Sequence, residues 1–186
     1  MPKISESKIL VIATNGYEQS ELEFPRDQLR AKGATVHVAS PDGKAIKGWK
    51  GENWGDSAEV DLKIADAKVA DYDAIVIPGG QINPDILRRD ATAVQLVKDF
   101  VTHDKIVAAI CHGPWMLIEA GVVEGREMTS YASIKTDLKN AGANWVDQEI
   151  AISNGIITSR SPEDLEAFVS KIVEEVQEGE HQRPAA

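Results

Sequence analysis

The stretch that decides the fold extends from Ile106 to Ala120 and has the sequence IVAAICHGPWMLIEA. Its first five residues are apolar and predict a fully buried strand. Gly113 and Pro114 end that strand, and the residues after them predict a helix with Pro114 in its first turn. Cys111 therefore lies at a sharp turn from strand to helix, which is the geometry of a nucleophile elbow.

Cys111 is the only cysteine of the chain. A thiol beside a helix N-terminus is favoured as the thiolate, which is the nucleophilic form. The alternative for Cys111 is a small buried hydrophobe, the commonest fate of a free cysteine. His112 can cooperate with Cys111 only if the backbone turns between them, because adjacent side chains of a regular strand point apart. Without that turn, His112 is an ordinary surface or turn histidine.

Length and composition indicate an ordinary globular protein. The 186 residues suit a single domain over 1–186, and residues 178–186 have the composition of a frayed tail. A net charge of -10 argues against non-specific binding of nucleic acid. No apolar run is long enough for a membrane span, and no apolar leader is present. A single cysteine fits a reducing compartment, so we expect a cytoplasmic protein.

Strand and helix patterns alternate along the chain. Apolar runs predict buried strands at 8–13, 35–39, 73–77 and 106–110. Helical patterns cover 20–32, 91–103, 115–120, 134–141 and 162–176, with Ser20 as a possible cap and Pro25 tolerable only near the first turn. Residues 42–64 favour short strands and turns, and Asn154-Gly155 predicts a hairpin between 149–152 and 156–159.

This alternation predicts an α/β fold with a mostly parallel central sheet covered by helices on both faces. Such sheets bind ligands at the carboxyl ends of their strands. Three loops follow strands there, at 14–20, 78–84 and 111–114. We therefore expect these loops to converge on one pocket.

Besides the elbow, three residues of these loops and Asp85, just after the second loop, are candidates for chemistry. Glu18 is a candidate neighbour of the sulfur, although a solvated loop carboxylate is the alternative. The amides of Gly79 and Gly80, together with those at the elbow, are candidates for an oxyanion hole, and a plain turn at the end of the strand is the alternative. Asp85 could accept a hydrogen bond from a histidine, and its alternative is a helix cap or a first-turn acid.

The other histidines do not suggest a site. His37 fits a satisfied core histidine inside a strand, and His103 and His181 fit the surface. One cysteine and four scattered histidines give no metal-ligand spacing, so no metal is expected. No phosphate loop or GxGxxG motif occurs, so no nucleotide or other cofactor is expected.

Taken together, these residues resemble the PfpI-type intracellular proteases of the DJ/ThiJ/PfpI superfamily, over roughly 8–176. The marks of the resemblance are Gly16-Tyr17-Glu18, Val76-Ile77-Pro78-Gly79-Gly80, the AAICHGP elbow and the segment 158–164. The resemblance implies a flavodoxin-like three-layer sandwich related to class I glutamine amidotransferases.

The resemblance also implies roles for individual residues. It assigns Cys111 as the nucleophile, Glu18 as a protonated carboxyl beside it and His112 as the paired histidine. In protease-like members a neighbouring subunit supplies the third residue, a carboxylate at the position of Asp85, where Glu would be the closer match. The implied partner is therefore a second copy of the chain, in a homodimer or a larger homo-oligomer.

The activity implied is that of a stress-protective, cysteine-dependent hydrolase-like enzyme, with peptidase, glyoxalase and deglycase activities all attributed to the family. These chemistries share one start, in which a thiolate attacks a carbonyl and amides stabilise the oxyanion. We expect small or protein-attached carbonyl substrates rather than efficient peptide hydrolysis. The alternative is a non-catalytic sensor that uses Cys111 as a redox switch, or a holdase chaperone.

Overall fold

The computed structural model describes residues 3–179, and its centre is a seven-stranded sheet. The strands are β1 (Lys8–Ile12), β2 (Tyr17–Glu18), β3 (Thr35–Ser40), β4 (Ile46–Lys50), β5 (Asn53–Ala58), β6 (Leu62–Lys63), β7 (Ala74–Ile77), β8 (Ile106–Ile110), β9 (Glu127–Met128), β10 (Asn144–Trp145), β11 (Ala151–Ser153) and β12 (Ile156–Ser159). The α-helices are α1 (Gln19–Ala31), α2 (Ile82–Leu87), α3 (Ala91–Thr102), α4 (Trp115–Glu119), α5 (Lys135–Asn140) and α6 (Leu165–Glu178). Short 3₁₀ helices cover Ile4–Glu6, Ile64–Asp66, Val69–Asp71, Ala132–Ile134 and Pro162–Asp164.

The central sheet has the strand order β11-β12-β8-β7-β1-β3-β6. All neighbours pair in parallel except β11 and β12, which form the antiparallel hairpin predicted around Asn154-Gly155. Asn154 and Gly155 both adopt positive φ angles, as a tight hairpin turn of this kind requires. Two small sheets, β2-β4-β5 and β9-β10, lie beside the central one.

Helices cover both faces of the sheet, which confirms the flavodoxin-like three-layer sandwich. On one face, α1 and α6 pack their apolar residues on alternate side chains of β1, among them Ile9 and Val11. On the other face, α3, α4 and α5 pack on the intervening side chains, among them Leu10 and Ile12. β1, β7 and β8 are buried on both faces, so their sequences are continuous apolar runs.

Two details of α1 differ from expectation. Ser20 lies inside the helix rather than at its cap, because Glu18 takes the cap position. Pro25 lies in the helix interior, past the first turn, and it is buried. Pro25 lies with Leu22 and Leu29 on the apolar stripe of this helix. The free energy gained by burying its ring there outweighs the loss of the backbone hydrogen bond that proline cannot donate.

Within residues 3–179, no helix is long and apolar enough to cross a membrane. The frayed tail expected over 178–186 begins at Glu178, which is the last residue of α6, and its residues 180–186 lie outside the described part of the chain.

Candidate active site

A cleft of about 470 Å³ opens where the carboxyl ends of β1, β7 and β8 meet. Its lining includes residues of all three loops that were expected to converge, together with residues of β4 and of the segments before α5 and α6. The lining includes Gly16, Glu18, Glu21, Trp49, Gly80, Ile82, Cys111, His112, Tyr131 and Glu163. The sequence-based expectation of one shared pocket agrees with this arrangement.

Cys111 forms the turn between β8 and α4 with a φ of 63°, in the left-handed region that non-glycine residues seldom adopt. Its amide donates to the Ser159 carbonyl at 3.0 Å, and its carbonyl accepts from the Tyr131 amide at 2.9 Å. A side chain at Gly113 would place its Cβ 2.6 Å from the Ile77 carbonyl oxygen. The elbow is thus fixed by hydrogen bonds on both sides and requires glycine two residues after the cysteine.

The carboxyl group at the sulfur belongs to Glu21. Its Oε2 accepts from the Gly79 amide at 2.7 Å, and its Oε1 is buried without a nitrogen or oxygen partner in the described chain. The Glu21 side chain is fully buried and lies beside the Cys111 sulfur. Burial raises the pKa of Glu21 to about 8, so this carboxyl is protonated at neutral pH.

The structure thus brings Glu21 to the sulfur, whereas the role that the resemblance assigned to Glu18 stays a prediction. Glu18 lies on the same cleft but is only half-buried, and its carboxylate accepts from the Ser20 hydroxyl at 3.3 Å. Partial burial raises its pKa, although Ser20 opposes that shift. The two glutamates differ in burial because of where α1 begins. Glu18 is the cap residue, whereas Glu21 lies in the first turn and on the side of the helix that faces the sheet.

The pKa of the Cys111 thiol differs from the expected direction. Burial and the neighbouring Glu21 carboxylate raise this pKa far above its usual range, whereas hydrogen bonds from the Gly80 and His112 amides lower it. The helix that follows the elbow has only five residues, so its dipole cannot offset burial. Once Glu21 holds a proton, its charge no longer opposes the thiolate, and the two amides remain to stabilise it.

The two candidate oxyanion-hole glycines have different contacts. The Gly79 amide is already used by Glu21, so Gly79 does not supply a free donor. The Gly80 amide points to the sulfur together with the amide of His112. The two amides that act on the sulfur are therefore those of Gly80 and His112, one from each of the two loops that the sequence suggested, and their role as an oxyanion hole stays a prediction.

His112 contacts Cys111 directly, as the elbow suggested. Its Nδ1 lies 3.1 Å from the sulfur, and its Nε2 lies 3.1 Å from the hydroxyl of Ser133. The ring stacks on Tyr131 at a centroid distance of 5.1 Å and meets the edge of Trp115 at 5.0 Å. Burial lowers the pKa of His112, and the charge of Asp137 only partly opposes this, so the imidazole is neutral near pH 7.

Asp85 lies in the first turn of α2, which agrees with the first-turn alternative. Its carboxylate accepts from Arg88 at 2.8 Å, and its side chain is 56% exposed. Within the described residues of one chain, no hydrogen bond joins Asp85 to His112. The proposed approach of Asp85 to the His112 of another subunit stays a prediction.

The remaining histidines do not belong to the cleft. His37 contacts the Tyr72 hydroxyl at 3.0 Å, as a satisfied histidine inside a strand should, and His103 contacts the Asp99 carbonyl at 2.8 Å. His181 lies outside the described residues. In the part of the chain that the structure covers, no group of three or more His, Cys, Asp or Glu side chains could hold a metal ion.

Sequence reasoning missed Glu21, Ser133 and the aromatic walls Trp49 and Tyr131. A signal existed for Glu21, because it lies four residues before Pro25 and eight before Leu29 and so falls on the buried stripe of α1. A carboxyl on an apolar stripe marks a functional candidate. No comparable local signal identified Ser133, which reaches His112 from 21 residues away.

Comparisons with known proteins agree with this geometry. A family model described as the DJ-1/PfpI family matches residues 7–175. "Protein/nucleic acid deglycase 2" of Escherichia coli is 42% identical over 163 residues, which cover 87% of this chain and 92% of the relative. "Deglycase PfpI" of Pyrococcus furiosus is 39% identical over 166 residues, which cover 89% of this chain and 97% of the relative.

Among solved structures, DJ-1beta of Drosophila melanogaster superposes with a TM-score of 0.82 at 30% identity, covering 96% of this chain and 95% of that chain. The chain belongs to the DJ-1/PfpI family.

Proposed function

We propose that this protein is a stress-protective enzyme in which the Cys111 thiolate attacks carbonyl carbons, with glyoxalase-type or deglycase-type turnover. One observation carries the proposal: Cys111 sits at a strained elbow on the floor of the cleft, between the Glu21 carboxyl and the His112 imidazole. Relatives named as deglycases support this class of activity.

The first chemical step follows from the contacts of the sulfur. The S–H proton passes to Nδ1 of His112, 3.1 Å away, and the sulfur forms a bond to the carbonyl carbon. The electron pair of the C=O bond moves to oxygen, where the Gly80 and His112 amides can donate to it. His112 then returns the proton to that oxygen, which gives a neutral hemithioacetal.

A dicarbonyl substrate can continue from this adduct without an external oxidant. The hydrogen on the carbon bound to sulfur moves with its electron pair to the neighbouring carbonyl carbon, and the hydroxyl proton of the hemithioacetal moves to the oxygen of that carbonyl. The first carbon thereby becomes a thioester carbonyl and the second carries the new hydroxyl group. Water then hydrolyses the thioester, releases a 2-hydroxy acid and restores the thiol. The protonated Glu21 carboxyl beside the sulfur keeps this site free of a second negative charge.

The shape of the cleft favours compact carbonyl compounds, or carbonyl adducts on protein side chains, over peptides. Cys111 is only 6% exposed, so a substrate must reach the floor of the cleft through a narrow approach. A peptide would have to bring its backbone carbonyl to this buried sulfur, which requires an open groove. Weak peptidase activity is therefore the second enzymatic candidate.

A second candidate function is a redox sensor. The observation that favours it is an unpaired cysteine next to a protonated carboxyl that could donate a hydrogen bond to an oxidised sulfur. A sensor changes its stability or partner binding after one equivalent of oxidant and needs no turnover. A holdase chaperone would keep its activity in the Cys111→Ser variant.

We also propose that the protein assembles as a homo-oligomer through the face that contains α2. Ile82 and Ile86 on this helix are 36% and 41% exposed, and Tyr131 beside the cleft is 44% exposed. Exposed apolar side chains grouped beside a cleft are typical of subunit contacts. Light scattering of the wild type and of Ile86→Glu measures the assembly, and we expect the variant to dissociate.

The contribution expected of Asp85 from a neighbouring subunit is tested by complementation. Mixing Cys111→Ala subunits with Asp85→Ala subunits restores part of the activity only if the two residues act in one shared site. We place the protein in the cytoplasm, because a lone free thiol with this role needs a reducing environment. Its strong negative charge argues against nucleic acid as a non-specific partner.

The function is tested with a panel of methylglyoxal, a methylglyoxal-treated peptide and an unmodified unfolded protein. We expect turnover of the first two by the wild type, slow or no cleavage of the third, and no turnover by Cys111→Ala. Repeated turnover with Cys111 reduced excludes a pure sensor. If Cys111→Ala matches the wild type on all substrates, the proposed function is wrong.

A further inference from the structure

Both ring nitrogens of His112 have a partner inside a single chain. Nδ1 faces the Cys111 sulfur and Nε2 faces the Ser133 hydroxyl, each at 3.1 Å. A histidine with one nitrogen on the nucleophile needs a group on its other nitrogen to fix its orientation and tautomer. Ser133 occupies that position here.

The two residues differ sharply in exposure. The His112 ring is 4% exposed and is enclosed by Tyr131 and Trp115, whereas Ser133 is exposed. The Ser133 hydroxyl is thus the polar group that joins the enclosed ring to the surface of the molecule. A proton that enters or leaves the Cys111–His112 pair through Nε2 therefore meets the Ser133 hydroxyl between the ring and solvent.

Two neighbouring contacts hold Ser133 in place. It lies in the short 3₁₀ helix Ala132–Ile134, whose last residue, Ile134, is buried. The Tyr131 amide just before this helix donates to the Cys111 carbonyl at 2.9 Å. The backbone that carries Ser133 is therefore tied directly to the elbow, so the hydroxyl and the imidazole keep a fixed relation.

We propose that Ser133 is a positioning residue for His112, which orients the ring from Nε2 and relays protons between the buried Cys111–His112 pair and solvent. A hydroxyl suits this role because it can accept from a protonated Nε2 and donate to an unprotonated one. In the resting ring the hydroxyl accepts from Nε2–H, which leaves Nδ1 free to take the sulfur proton, and it can then accept the Nε2 proton on its way to solvent. The proposal rests on the proposed function only in taking Cys111 as the reacting group.

Other groups around His112 do not replace the hydroxyl. Cys111, with Glu21 behind it, is on the Nδ1 side, and Tyr131 stacks on the ring face. Asp137 accepts from the Trp115 indole at 2.9 Å and acts on His112 only through its charge.

The cation that packs on Trp115 is also engaged with another side chain. The Arg88 guanidinium lies 4.4 Å from the Trp115 ring centroid and donates to Asp85. Among the described residues, Ser133 is thus the hydrogen-bond partner of Nε2.

The experiment compares Ser133→Ala, Ser133→Thr and Asp85→Ala with the wild type, using two measurements that need no substrate. Long-range ¹H–¹⁵N NMR reports the tautomer of His112, and iodoacetamide labelling across pH reports the reactivity of the only thiol. Ser133 is exposed, so these variants should fold, and thermal unfolding checks that they do.

We expect Ser133→Ala to shift the His112 nitrogen signals and to slow labelling at pH 7 roughly threefold to tenfold, the effect of losing one hydrogen bond. Ser133→Thr keeps the hydroxyl and should stay within about twofold of the wild type. Asp85→Ala asks whether a carboxylate of another subunit also reaches Nε2, and we expect the shift in Ser133→Ala whether or not Asp85→Ala moves the His112 signals as well.

The proposal is overturned if Ser133→Ala leaves both the signals and the labelling profile unchanged. It is also overturned if only Asp85→Ala shifts the His112 signals, which would assign Nε2 to a carboxylate of another subunit. In either case the proposed function is judged separately. If the wild type turns over substrate and Cys111→Ala does not, the proposed function stands although the role of Ser133 is wrong.

Discussion

The floor and the rim of the cleft each contain a glutamate, and the two carboxyl groups differ in protonation at neutral pH. On the floor, burial raises the pKa of Glu21 to about 8, so its carboxyl is neutral at pH 7. On the rim, the exposed Glu163 accepts from the Ser161 hydroxyl, which holds its pKa below the usual range. The floor therefore supplies a proton donor beside the sulfur, whereas the rim supplies a fixed negative charge in water.

This difference indicates where the chemistry takes place. Charge at the rim is solvated and screened, so it adds little to a reaction on the floor. A neutral carboxyl and a neutral imidazole on either side of a buried thiol act at short range and in a low dielectric. Substitutions on the floor should thus change reactivity far more than substitutions on the rim.

The largest expected effect is the loss of the nucleophile. Cys111→Ala should lower turnover of methylglyoxal at least about a thousandfold, because no other described side chain of the cleft floor can form the covalent adduct. Glu163→Gln on the rim should lower it less than about tenfold. Steady-state kinetics with both variants measures the contrast, and equal losses in the two would remove the distinction between floor and rim.

The next effect concerns the backbone of the floor. A Cβ at Gly79 would lie 2.5 Å from Glu21 Oε2 and 2.6 Å from the Cys111 Cβ. Gly79→Ala should therefore destabilise the fold by about 1–3 kcal/mol and displace the groups around the sulfur. Chemical denaturation and thiol labelling measure both consequences.

Gly121→Ala is a control for an alanine substitution away from the cleft, and it differs from Gly79→Ala because, of the two glycines, only Gly121 has a positive φ. Gly121 has a φ of 70°, and a Cβ there would meet nothing within 4 Å. This variant should show the cost of positive φ alone, on the order of 1 kcal/mol, with normal thiol labelling. If Gly79→Ala behaves like Gly121→Ala, the floor is less tightly packed than the structure indicates.

A smaller effect is the dependence of stability on pH. The pKa of Glu21 is higher in the folded chain than the ordinary value of 4.5, so the folded state binds this proton more tightly. The resulting stabilisation is fully present below pH 4.5 and is lost progressively as the pH rises to about 8. Glu21→Gln cannot titrate, so it should gain stability relative to the wild type across this window.

Thermal unfolding of the wild type, Glu21→Gln and Glu18→Gln from pH 5 to pH 9 measures this gain. Glu18 is half-buried and its pKa is shifted in the same direction, but Ser20 opposes the shift. Glu18→Gln should therefore follow the wild type more closely. A constant difference between Glu21→Gln and the wild type at every pH would contradict a raised pKa at Glu21.

Local patterns were enough to predict the frame of the site. The apolar strand before Cys111, the Gly113-Pro114 break and the Asn154-Gly155 turn depend on neighbours in sequence, so the elbow and the hairpin could be predicted. The parallel order of the sheet also followed from the alternation of strands and helices. These features were sufficient to predict that the three loops converge on one pocket, without knowledge of any side-chain contact.

The floor of the cleft depended on contacts between distant residues. Glu21 meets the Gly79 amide across 58 positions and the thiol across an even longer interval, so the choice between Glu18 and Glu21 needed the structure. The direction of the pKa shift at Cys111 was also missed, because burial outweighs the dipole of a five-residue helix. Burial is set by the packing of the whole domain rather than by adjacent residues.

The central claim is that Glu21, and not Glu18, holds a proton beside the Cys111 sulfur at neutral pH. Infrared difference spectroscopy tests it most directly, because a protonated carboxyl has a C=O band that a carboxylate lacks. We predict this band at pH 7 in the wild type and in Glu18→Gln, its absence in Glu21→Gln, and its loss as the pH passes about 8. A band that is missing from the wild type at pH 7, or that disappears in Glu18→Gln and survives in Glu21→Gln, would contradict the claim.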